Sequence, residues 1–239
     1  MIDFQIEKII PLCEVFGVTI SQTQKEQLNL YGNLLLEWNK KINLTAITTP
    51  EEVLYKHFFD CILFFKHLNP CEKASLVDVG TGAGFPGLVL KIIRPDLKIT
   101  LLDSLNKRLI FLNEVINTLN LKNIKTIHLR AEEAGKSKEH REKYDIVTAR
   151  AVANLPVLLE YCIPLVKKDG VFFAMKGPSV KEEVKNSINA INLLGLAQPT
   201  IVCEKLPTND ERAFVISKKI SQTPSKYPRK PSDISKQPL

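Results

Sequence analysis

The chain has 239 residues, 44% hydrophobic and 25% charged, with 33 basic against 26 acidic side chains and a net charge of +7. That length holds one α/β core with an accessory region, and no apolar run reaches the roughly 18 residues a membrane helix needs. Five cysteines without a C-x-x-C spacing point to neither a zinc site nor a disulfide framework, and Asp3 and Glu7 stand where a secretion signal needs basic residues, so a cytoplasmic protein with no metal is expected.

Residues 1–70 read as a helical region. Ile6, Ile9, Ile10, Cys13 and Phe16 share one apolar face. A capping box, either Ser21 with Gln24 or Thr23 with Glu26, opens a long helix whose face is Leu28, Tyr31, Leu35, Trp38 and Ile42. This places Trp38 in the core rather than on a base-stacking surface. After the break at NLTAIT, Thr49-Pro50-Glu51-Glu52 starts a third helix that runs to about Leu68. His57 and Asp60 lie one turn apart on it, placed to tie the N-terminal helices to the sheet of the main domain.

From Ser75 the pattern alternates. Strands are expected at 75–79, 98–103, 124–129, 144–149 and 170–175, and helices at 87–94, 106–119, 156–166 and 179–194. Such alternation means a parallel sheet wrapped by helices. TIVCEKL and RAFVISK come next with only a turn between them, so they form an antiparallel hairpin at the sheet edge. The core domain is expected over 71–219. The last twenty residues, 220–239, form a Pro-rich basic tail. Counted from Lys218, six cations against Asp233 give the C-terminal segment +5 and leave only +2 to the body. Its composition predicts disorder in isolation and affinity for phosphate backbones.

The chemistry centres on VDVGTGAGFPGLVL, residues 77–90. It reads as a strand, a glycine turn and the start of a helix, a place where backbone approaches a ligand closely. A nucleoside triphosphate is excluded because Leu88 and Val89 follow Gly87 where a P-loop needs Lys and Ser/Thr. Gly82, Gly84 and Gly87 do satisfy the dinucleotide pattern G-x-G-x-x-G, and Asp103 ends the next strand where a ribose-binding acid belongs. Against that reading, Asp78 is a poor neighbour for pyrophosphate and a good one for an amino-acid ammonium. No second domain remains to hold a hydride acceptor. Acid, glycine turn, second acid and terminal hairpin together resemble the class I S-adenosylmethionine-dependent methyltransferases, with a Rossmann-like sheet. The nicotinamide-dependent oxidoreductase stays open as a rival, as does a non-catalytic RNA-binding ribosome-assembly factor.

DVGTGAGFPGL, NKKINLTAI (39–47), KHFFDCI (56–62), DSLNKRLIFLNEV (103–115), RAEE (130–133), TARAVANL (148–155), AMKG (174–177) and YPRKPSDISKQPL (227–239) resemble the glucose-inhibited division protein B, or RsmG, family. Cys61 replaces the usual Ser of KHFFDCI and Lys230 the commoner Arg of the tail. The resemblance implies methyl transfer from S-adenosyl-L-methionine to N7 of a guanine in 16S ribosomal RNA, near the decoding site of the 30S subunit. It implies cofactor contacts at Gly80 and Phe85, at Ala131 and Glu132 for the adenine, and at Arg150. Gly82 and Gly84 complete the turn, and Asp103 is added from fold logic for the ribose. Arg150 is also the candidate catalytic residue. Guanine N7 has an in-plane lone pair and no proton to lose, so no general base is expected. Lys40, Lys41, Lys107, Arg108 and the tail are the expected RNA-phosphate contacts. A monomer without membrane attachment is expected, since no heptad pattern asks for a partner.

Overall fold

The computed structural model describes residues 1–239. Seven strands form one sheet: β1 (Ser75–Val79), β2 (Lys98–Asp103), β3 (Ile124–His128), β4 (Tyr144–Arg150), β5 (Val166–Lys176), β6 (Thr200–Lys205) and β7 (Glu211–Lys218). Their spatial order is β3-β2-β1-β4-β5-β7-β6. The first five are parallel, and β7 and β6 close the edge antiparallel. The strand order reverses between β1 and β4, and open α/β sheets bind ligands beyond the carboxyl ends at such a reversal. No helix is long and apolar enough to cross a membrane.

The helices cover both faces. One core joins Phe4, Tyr31 and Phe58 from the N-terminal region to Leu88, Phe111 and Phe173, so that region and the sheet share a single interior. The other face buries Leu158, Leu159 and Ile191 against Val77, Val147 and Phe172. The long helix, Gln22–Asn39, starts with the Ser21/Gln24 capping box. Gln24 also donates through Nε2 to the carbonyls of Ile92 and Ile93, 2.9 Å each, at the end of the helix Gly87–Ile93. Gln27 likewise reaches the Leu119 carbonyl at 3.1 Å. Those last-turn carbonyls have no partner within their own helix.

Three elements differ from expectation. The third helix is π-helical over Val53–Phe59 before regaining α geometry at Asp60. The expected 179–194 helix is two pieces, Val180–Lys185 and Ile188–Leu194. The tail is folded onto the body, with a short helix at Pro231–Lys236 and with Tyr227 and Ile234 buried. Two basic side chains at this end of the chain are paired with distant acids. Arg229 forms a two-pronged pair with the fully buried Glu160, and Lys219, just before it, bonds Glu142 at 2.7 Å. Composition misled here because the partners lie about seventy residues away in sequence.

Candidate functional site

The glycine turn is built by its own acids. Gly80 and Thr81 both donate to the Leu102 carbonyl, at 2.8 and 3.1 Å, which pins the turn to the end of β2. Asp78 is fully buried beneath it. Its Oδ2 accepts from Thr81 Oγ1 at 2.7 Å and from the Gly87 N–H at 2.9 Å, while Oδ1 has no partner. Burial pushes this carboxyl up to about 6 against the pull of those two bonds. Asp78 therefore closes the turn from below and does not face a ligand directly. Gly80, Gly82 and Gly84 all have positive φ, at 65°, 61° and 100°. A Cβ on Gly80 would lie 2.7 Å from Val152, whereas one on Gly82 would meet nothing nearer than 3.9 Å, so Gly82 leaves open space above the turn.

A cavity of about 280 Å³ opens beside this turn. Gly80, Asp103, Ala131 and Glu132 line it, as do Arg108 and Tyr161. Asp103 is 2% exposed. Its Oδ2 accepts from the Gly82 N–H at 2.9 Å and faces Arg108 at 3.3 Å, and its Oδ1 accepts from the Leu105 N–H at 2.9 Å. A carboxylate has about four acceptor sites, so one remains for a hydroxyl. Glu132 Oε1 is buried without any hydrogen-bond partner. A buried acceptor in a cavity wall that makes no hydrogen bond, with only the Arg130 guanidinium facing it at 3.8 Å, fits an exocyclic amine. Tyr161 packs nearby, its hydroxyl pushed above the usual range by burial and then by Glu132 and Glu160.

A second cavity, about 350 Å³, lies at the ends of β4 and β5. Arg150 lines it, with 16% of its side chain exposed. It donates to Asp60 Oδ2 at 3.0 Å, to the Lys56 carbonyl at 3.1 Å and to His57 Nδ1 at 3.0 Å. The π-helical turn presents both Lys56 and His57 to it. Such turns recur at functional sites. Because Nδ1 accepts, Nε2 carries the imidazole proton and donates to Thr45 Oγ1 at 2.9 Å. Burial first and the Arg150 guanidinium second push His57 down to about 3, so the ring is neutral. Asp60 also stands 3.3 Å from Arg212 on β7. Burial pushes the Asp60 carboxyl up, and the two guanidinium groups oppose it.

The expected site residues thus divide. Gly80, Asp103, Ala131 and Glu132 share the first cavity, and Arg150 stands in the second. Gly82 holds Asp103 through its N–H. Gly84 packs inward, where a Cβ would meet Leu88 at 2.4 Å and the Tyr31 hydroxyl at 2.9 Å. Phe85 is buried under the second cavity, stacked on His57 at 4.2 Å with the Arg150 guanidinium 4.8 Å from its ring centre. Arg108, expected to face RNA, instead lines the first cavity against Asp103. Sequence reasoning missed Ala151, which lines both cavities and is their junction. It has φ of 55°, a left-handed conformation uncommon without glycine and recurrent at functional sites. The alanine gives no sequence signal for it.

Residues 24–214 match the family described as rRNA small subunit methyltransferase G, GidB. Two relatives carry the name ribosomal RNA small subunit methyltransferase G. The Desulforamulus reducens protein is 54% identical over 92% of each chain, and the Clostridium perfringens protein 50% identical over 95% of each. The chain belongs to this family. The small subunit methyltransferase G match begins inside the Ser21/Gln24 cap and ends at Phe214, so it contains both cavities whole. Solved structures share the fold at low identity. A SAM-dependent methyltransferase from Aquifex aeolicus superposes with a TM-score of 0.53 at 18% identity, over 77% of this chain and 98% of that one. A precorrin-6y C5,15-methyltransferase from Geobacter metallireducens gives 0.51 at 13%, over 74% and 92%. These likenesses establish the class I methyltransferase fold for the G-family chain. Neither the family nor its relatives support the oxidoreductase or the non-catalytic reading.

Proposed function

We propose that this chain transfers a methyl group from S-adenosyl-L-methionine to N7 of a guanine in 16S ribosomal RNA, in the cytoplasm, acting as a monomer on the 30S subunit. The observation that carries the reading is the pair of cavities meeting at Ala151. One suits a nucleoside, and the other is rich in cations. Glu132 offers its orphaned oxygen to the adenine amine, Asp103 its remaining acceptor site to the ribose, and the open side of Gly82 gives room for the methionine end. Phe85 supports Arg150 from beneath, and Gly84 fixes the turn against Tyr31. S-Adenosylmethionine, when bound, supplies the methyl group on a sulfonium.

The second cavity then receives the guanine. Lys56, Arg150, Lys176 and Arg212 stand there against Asp60 and Glu183, a formal +2 that suits a nucleotide flanked by phosphates. No side chain there is set up to remove a proton. His57 has both nitrogens engaged, Asp60 lies between two guanidiniums, and Glu183 is paired with Lys176 at 2.6 Å. That agrees with an acceptor nitrogen that carries a lone pair and no hydrogen. Alignment and preorganised charge are the contributions left to the chain. A base must be unstacked to reach the cavity, because the A-form major groove is too narrow for side chains.

The test is transfer of labelled methyl to 30S subunits lacking the modification, followed by borohydride and aniline cleavage at the labelled nucleotide. Cleavage at a single guanine is expected. Cofactor binding without label would overturn the RNA substrate, and absence of cofactor binding would overturn the whole reading.

A further inference from the structure

The wall of the first cavity is braced from behind by the end of the chain. Glu132 lies in the single helical turn Ala131–Ala134, which ends at Gly135. Arg141 Nη1 donates to the Gly135 carbonyl at 2.8 Å and to the Tyr227 carbonyl at 2.7 Å. Its Nη2 donates to the carbonyls of Thr223 at 2.7 Å and Pro224 at 3.2 Å. One planar guanidinium therefore joins the end of the Glu132 turn to three carbonyls of the C-terminal segment. The packing is close, since a Cβ on Gly135 would lie 3.0 Å from Pro228.

A second brace runs through Glu160, which is fully buried although charged. It accepts from the Arg229 backbone N–H at 2.7 Å, from Nε at 2.9 Å and from Nη2 at 2.7 Å. Arg229 Nη2 also donates to the Gln237 carbonyl at 2.9 Å, which gathers the last residues around the pair. The next residue after Glu160 is Tyr161, which lines the cavity itself. Tyr227 and Ala134 lie in the same buried cluster. Both protein elements at this end of the cavity, the Glu132 turn and the Tyr161 helix, are thus held by residues 223–237.

We propose that residues 223–237 are a positioning strap for the cofactor site, with Arg141 and Arg229 as positioning residues that set Glu132 and Tyr161 against the adenine. The inference rests on the S-adenosylmethionine reading of the first cavity. Neither arginine touches the cavity, so both act through the elements they hold. The strap lies at the cofactor's end, so its loss weakens cofactor binding without altering RNA recognition in the second cavity.

The experiment uses full-length protein and measures S-adenosylhomocysteine affinity by calorimetry, with hydrogen exchange at residues 130–136. Arg141→Ala and Arg229→Ala are each expected to weaken binding about tenfold, the scale of one charge-assisted hydrogen bond. Exchange at 130–136 should rise, and the KM for 30S subunits at saturating cofactor should hold. Arg141→Lys restores little because it lacks the fork, whereas Glu160→Gln, which keeps an acceptor, gives a partial loss if either alanine variant fails to fold. Unchanged cofactor affinity in folded variants would overturn the strap. So would a raised KM for 30S subunits alone, which would make it an RNA-binding tail. Failure of the wild type to bind S-adenosylhomocysteine would instead remove the cofactor reading beneath it.

Discussion

The two cavities that meet at Ala151 are made by opposite means. The first is floored by backbone, a glycine turn with three positive φ values pinned by main-chain bonds to Leu102, with the Asp103, Arg108, Glu132 and Tyr161 side chains around it. The second is shaped by side chains, with Arg150 tied to an imidazole, a carboxylate and a carbonyl. The backbone-built floor has no room for an added atom at Gly80, although space remains above Gly82, while a side-chain-built site depends on every charge having its partner. The difference predicts different kinds of damage.

The largest effect belongs to Arg150→Ala, which leaves Asp60 buried with only Arg212 near it. A loss of about 3 kcal/mol in urea unfolding is expected, together with loss of methyl transfer. The pair Arg150→Met with Asp60→Leu should recover much of the stability and none of the turnover. Recovery of turnover would show that the charges serve folding alone. Next comes the first cavity. Gly80→Ala combines a left-handed backbone, about 1–2 kcal/mol for a non-glycine residue, with the 2.7 Å approach to Val152. Cofactor affinity measured by calorimetry should fall at least about tenfold, and an unaltered affinity would detach the turn from the ligand.

The His57 ring distinguishes the cavities by pH. It is held down to about 3 when folded and returns to about 6.5 when unfolded. The unfolded chain takes up the proton first, so stability is complete above about 6.5 and is lost as pH falls toward about 3. Between pH 7 and pH 5 this one ring contributes a loss of about 2 kcal/mol. His57→Gln keeps an acceptor for Arg150 and should flatten that dependence in urea titrations; an unchanged slope would place the titration elsewhere. The smallest effect is at the tail. Lys218, Lys219 and Arg229 are already paired with Asp169, Glu142 and Glu160, which leaves Lys226, Lys230 and Lys236. Replacing these three with alanine should lower the log–log salt slope of RNA binding by at most about 2. A larger drop would mean that the strap opens on RNA.

The same contrast governs how much of the molecule is legible in its sequence. Strand positions and the edge hairpin follow from short periodic patterns, and glycines announce a backbone-built turn directly. Asp103 is readable because fold logic puts an acid at the end of β2. A side-chain-built site hides its pairings. Nothing local says that Arg108 turns inward to Asp103 or that Arg229 closes on Glu160, and the folded tail follows from such pairings. Ala151 is hidden for another reason, since its left-handed φ is imposed by surrounding structure without the glycine that normally marks it.

The bonds from Gln24 and Gln27 to the carbonyls of Ile92, Ile93 and Leu119 carry a consequence for biosynthesis. The helix that bears these glutamines leaves the ribosome before its receptors, which are made later at about 5–20 residues per second. For several seconds the nascent chain therefore carries a helix whose apolar face has only Phe4, Phe58 and their neighbours to meet it, without the sheet-side partners Leu88 and Phe111. Arrested chains that expose only the first eighty residues should be cut by protease within this helix, and chains that expose residue 125 should resist. Early resistance in the shorter chains would show that the helix finds other cover during synthesis.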